Sequence, residues 1–61
     1  MIKLTITIGE RLVFYENEST EESANDLSWH IIKNGYRRKI KDGSYEYFPS
    51  YRISHIKTER E

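Results

Sequence analysis

Ile2, Leu4, Ile6 and Ile8 alternate with Lys3, Thr5 and Thr7. Alternation with a period of two, rich in β-branched residues, predicts a half-buried strand. Gly9-Glu10 follows, and glycine first in a two-residue loop suits a type II′ hairpin turn. Arg11 to Tyr15 then read as a second strand. Such a loop pairs Ile8 with Arg11, Ile6 with Val13 and Leu4 with Tyr15. It sends Leu12 and Phe14 to the opposite face, beside Thr5 and Thr7. The alternative is one long strand bent by a bulge at Gly9, which keeps residues 2–14 in phase except for Glu10. The hairpin is preferred, because strands usually hold roughly 3–10 residues.

After the polar stretch Glu16-Asn17-Glu18, the period changes to that of a helix. Ala24, Leu27, Ser28, Ile31 and Ile32 fall on one stripe, which is expected to lie on the sheet. Ser19 and Glu22 match the capping-box pattern, and Glu21 and Glu22 favour the positive end of the helix dipole. Gly35 after Asn34 is a stop signal in the left-handed conformation. Trp29 breaks the pattern. At ~100° per residue it lies about 140° from Ala24, which turns it toward solvent. The alternative is a tryptophan folded over the helix end to cap the core.

The remaining residues read as a second hairpin. Asp42-Gly43 is a type I′ signal that pairs Ile40 with Tyr45, Lys39 with Glu46 and Arg38 with Tyr47. Pro49 cannot donate to a ladder and ends that strand or marks an edge. Tyr51 to Lys57 can add one more short strand, with Ile56 out of phase unless a bulge or helical turn intervenes. Residues 58–61 are expected to fray. The expected architecture is α+β: one helix packed on an antiparallel sheet of four or five strands, ββαββ with or without a final β, in one domain spanning residues 1–61.

Composition narrows the chemistry. The chain has 61 residues and no cysteine, so disulfides, thiolate metal sites and cysteine catalysis are excluded. His30 and His55 alone cannot make a structural zinc site. Short chains bury a small share of their surface and often rely on a partner subunit, which predicts a homo-oligomer, here a dimer. No apolar run approaches the ~20 residues of a membrane-spanning helix. The first residues lack a signal-peptide layout. A cytoplasmic protein is the default expectation.

Net charge is zero, yet the charges are segregated. Residues 16–30 carry Glu16, Glu18, Glu21, Glu22 and Asp26 without a Lys or Arg. Residues 31–57 carry Lys33, Arg37, Arg38, Lys39, Lys41, Arg52 and Lys57 against Asp42 and Glu46. A dipolar chain of this kind can bind an acidic partner or pair with itself, unless the charges simply balance as solvated surface.

No phosphate-binding glycine loop, nucleophile elbow or metal-binding histidine motif is present. Asp26 and His30, one helical turn apart, are the nearest approach to an acid–base pair, and the ordinary reading of such a pair is a surface contact. A non-catalytic protein without cofactor or metal is therefore expected. Its function is expected to be contact with another protein, through Trp29, Leu12 and Phe14 as anchors, with Arg37, Arg38 and Arg52 steering an acidic surface. Free-standing chains of this length are often regulators or inhibitors, commonly encoded by viruses or mobile elements. The alternative is a small nucleic-acid binder that uses Arg37, Arg38, Lys39, Lys41, Tyr45, Tyr47 and Arg52, where cations alternate with aromatic rings. Residues 48–56 resemble the Pro-x-x-Arg-Ile ending of some small RNA-associated modules through Pro49, Arg52 and Ile53, and nothing further is drawn from it.

Overall fold

A computed structural model describes residues 1–61. The strands are β1 (Ile2–Ile8), β2 (Leu12–Glu18), β3 (Tyr36–Lys39), β4 (Tyr45–Phe48) and β5 (Ile53–Arg60). The helix α1 spans Glu21–Asn34, and a 3-10 turn covers Ser50–Arg52. The fold is α+β, with one helix on an antiparallel sheet. The five strands divide into a three-stranded sheet, ordered β2-β1-β5, and a separate ribbon, β3-β4.

β1 is the centre of the sheet, and the alternation in its sequence explains why. Ile2, Leu4, Ile6 and Ile8 are all buried under α1, and Lys3, Thr5 and Thr7 lie half-buried on the opposite face. Ala24 meets Ile2 and Leu4 near the start of the helix. Ile31 meets Ile6, Ile8 and Tyr36 near its end, and Leu27 and Ile56 pack against both groups. The buried contact is narrower than the stripe, because Ile32 is exposed.

Thr20 rather than Ser19 caps the helix. Its hydroxyl accepts the Ser23 N–H at 3.1 Å, and the Ser23 hydroxyl donates back to the Thr20 carbonyl at 3.2 Å. The cap forms one position later than the Ser19–Glu22 pair, and its return bond runs from a hydroxyl to the N-cap carbonyl instead of from the N-cap N–H to a carboxylate. At the other end the Gly35 N–H bonds the Ile31 carbonyl at 2.8 Å. Gly35 has φ 90° and ψ 176°, a positive φ as expected, but with extended ψ instead of the left-handed helical value.

Both hairpin loops hold one residue more than the turn signals suggested, and this corrects both registers. Gly9-Glu10-Arg11 joins β1 to β2, so Ile8 pairs with Leu12, Ile6 with Phe14 and Leu4 with Glu16. A shift of one residue exchanges the faces of a strand. Leu12 and Phe14 therefore share the helix-facing side with the isoleucines, and Val13 and Tyr15 take the open face. In the second hairpin, Ile40 receives the Gly43 N–H at 3.0 Å and donates to Ser44 at 2.8 Å. The pairs become Lys39 with Tyr45, Arg38 with Glu46 and Arg37 with Tyr47. A turn closed by Ile40 and Gly43, followed by the positive φ of Gly43, is the pattern of a three-residue loop with a bulge, not of a type I′ turn. Asp42 stabilises this loop. Its carboxyl is held below the usual range by the hydroxyl and then the N–H of Ser44.

Residues 58–60 do not fray. β5 continues to Arg60, which pairs with Ile2, and the Glu61 N–H reaches the Met1 carbonyl at 3.0 Å. Arg60 also forms an ion pair with Glu21. The phase problem at Ile56 is solved by a bulge in β5. The register slips between Thr7 and Ile8, so Ile56 pairs with Ile6 and Ile53 with Ile8, both on the helix side. No helix is long and apolar enough to cross a membrane.

Candidate interaction surfaces

The ribbon β3-β4 is attached to the main sheet by side chains. Tyr36 and Phe48, cross-strand partners at its base, pack tilted against Phe14 of β2 with ring centroids 5.7 and 5.4 Å away. The buried Tyr36 hydroxyl donates to Glu16 at 2.5 Å. Burial, and then this bond and the Glu16 charge, push the Tyr36 phenol well above its ordinary value, while the Arg38 charge opposes them. Folding thus favours the neutral phenol, and the associated stability is complete below about pH 10 and is lost as pH rises beyond it. Thermal melting at increasing alkaline pH should show a steeper decline for the wild type than for Tyr36→Phe.

Phe14 is therefore half-buried against the core on the helix side, not on an exposed back face. The other residues expected to make contacts are scattered. Trp29 lies on the outer flank of α1 and is 65% exposed, beside Ile32, three residues on and 51% exposed. Leu12, 47% exposed, begins β2 on the helix side. Arg52 belongs to the 3-10 turn, next to Tyr51, which is 85% exposed.

The cationic residues divide between two faces of the ribbon. Arg38 turns inward, over the Phe14 ring at 4.5 Å and 3.4 Å from Glu46. Arg37 and Lys39 turn to the other face with their partners Tyr47 and Tyr45, and Arg37 lies 5.0 Å from the Tyr45 ring centre. Lys41 sits in the loop. Arg37, Lys39, Tyr45 and Tyr47 thus form one exposed platform, which the expected register would have divided.

A cleft of about 420 Å³ lies between the end of α1 and the ribbon, lined in part by Glu16, His30, Tyr36, Arg37 and Tyr47. Its hydrogen bonds hold structure together. Tyr47 donates to the Asn34 carbonyl at 2.6 Å, and the His30 ring meets the Asn34 amide at 3.3 Å. The Asp26–His30 pair does not form, and neither histidine makes an ion pair. No group of three His, Asp or Glu side chains is arranged to hold a metal.

Ile32 was missed as a neighbour of Trp29 because it shares the helical stripe with Ile31. Val13 and Tyr15 were missed as surface groups because their face depends on the loop length. No protein-family model, curated sequence or solved structure matches this chain.

Proposed function

We propose that this chain is a non-catalytic binding protein that acts by contact with other protein chains, a second copy of itself included. The observation that supports this is a ratio. Seven apolar side chains are buried, and ten large apolar ones are exposed, Trp29, Ile32 and Tyr51 among them. A fold with so small an interior gains from any partner that covers such groups. Trp29 and Ile32, adjacent on one helix flank, are the anchor of the twofold contact, since tryptophan dominates interface hot spots.

The test is the mass in solution by light scattering across a concentration series. The wild type should show a dimer, and Trp29→Glu a monomer with an unchanged fold, because an exposed position tolerates the change within roughly 0.5 kcal/mol. A wild-type monomer at all concentrations would remove self-association from this reading.

One observation favours a second reading. The platform of Arg37, Lys39, Tyr45 and Tyr47 has the composition that stacks bases and holds phosphates of a single strand. Titration with a labelled single-stranded oligonucleotide at two salt concentrations separates the readings, since binding through phosphates falls steeply with salt.

A further inference from the structure

We propose that the groove between β2 and β3 accepts an extended peptide segment bearing acidic side chains, which adds as a strand and joins the two sheets into one. This rests on the protein-contact reading above and names the partner's chemistry.

β2 pairs only with β1, and β3 only with β4. The two strands exchange no backbone hydrogen bond, and side chains alone bridge them: Phe14 to Tyr36, Tyr36 to Glu16, and Arg38 over the Phe14 ring. Between them lies a groove of about 570 Å³, within the roughly 300–1,000 Å³ of ligand clefts. Its walls are residues 13–16 of β2 and residues 37–39 of β3, consecutive on both sides. Successive side chains of a strand point to opposite faces. A surface that touches every residue in turn is therefore running along strand edges. Each edge carries backbone N–H and C=O groups free to pair, the arrangement that captures a peptide by strand addition.

Charge selects the sign of the partner. The β3 wall supplies Arg37, Arg38 and Lys39. Arg38 is shared with Glu46, whereas Arg37 and Lys39 have no ion-pair partner. The only carboxylate of the β2 wall, Glu16, is engaged by Tyr36. The outer edge of β5 differs, since Lys57 meets Glu59 and Arg60 meets Glu21. Of the cations on these two edges, Arg37 and Lys39 in the groove are the ones without an ion-pair partner.

The test uses the full chain and a labelled eight-residue peptide that alternates valine and glutamate. Two control peptides replace glutamate by lysine, or two central residues by proline. The Val-Glu peptide should bind, and both controls should bind about tenfold more weakly or worse, the lysine form through repulsion and the proline form through lost donors. Amide hydrogen exchange should slow at residues 13–16 and 37–39 on binding, and not along β5. Arg37→Glu/Lys39→Glu should weaken the Val-Glu peptide about tenfold while leaving the melting temperature unchanged. Equal binding of the lysine peptide, protection along β5, or no binding of the Val-Glu peptide would each overturn the proposal. If the peptide fails while Trp29→Glu still dissolves a dimer, the groove is wrong and the protein-contact reading stands. If neither effect is seen, the groove and self-association both fall.

Discussion

Gly35→Ala should cost about 3 kcal/mol or more, read as a fall in the urea midpoint without a change in slope. Two effects add. Gly35 sits at φ 90° and ψ 176°, a region essentially closed to residues with a side chain. A Cβ there would also lie 2.5 Å from the Phe48 carbonyl oxygen and 2.8 Å from the Tyr47 hydroxyl. Neither atom can easily retreat. The first is backbone, and the second is held by its bond to the Asn34 carbonyl. Chains of this size are stable by roughly 3–9 kcal/mol, so this one methyl group can remove most of the margin. Gly43→Ala is the internal control. Gly43 has φ 91°, but nothing lies within 4 Å of an added Cβ, so it should cost about 1 kcal/mol from backbone strain alone. Equal losses at the two sites would mean that helix and ribbon do not meet at Gly35.

Phe14→Ala should cost about 3 kcal/mol, against less than about 1 kcal/mol for Leu12→Ala. Phe14 contacts both rings at the base of the ribbon and carries the Arg38 guanidinium on its face. Its loss opens a cavity where the two sheets meet, and it should also loosen β3 and β4, seen as faster amide exchange there than in β1. Leu12, one pair beyond, is half exposed and has less to lose. With the two-residue loop both side chains would have stood on the open face, and both substitutions would have been mild. The comparison thus measures the register of the hairpin through stability.

What could be read from the sequence divides along a physical line. Ile2 to Ile8 and the helical spacing of Ala24, Leu27 and Ile31 declared the central strand and the buried helix face, because burial repeats with the period of the element. Trp29 stood out by the same logic, as the residue that breaks the period. Registers did not follow. Gly9-Glu10 and Asp42-Gly43 are each compatible with a loop one residue longer, and that residue exchanges every side chain between faces. Phe14 moved to the helix side, against the core, for this reason, and Arg37 and Lys39 came to share a face with Tyr45 and Tyr47. The pairing of residues 58–60 was also hidden. Polar, charged residues in a strand resemble a loose end until the partner, Ile2 to Leu4, is brought alongside. The groove between β2 and β3 was beyond reach, since it depends on where two separately formed hairpins stop.

β1 lies between a neighbour that follows it after three residues and another that follows after 44, with Ile6 joined to Phe14 on one side and Ile56 on the other. The first pairing closes a short loop and can form in microseconds, and the second must gather almost all of the intervening chain. During synthesis, β1 therefore waits with one flank bare until the last strand emerges. A hairpin in that condition can recruit the same strand from a neighbouring copy, so crowding of nascent chains is the moment at which this small sheet is most prone to exchange its segments.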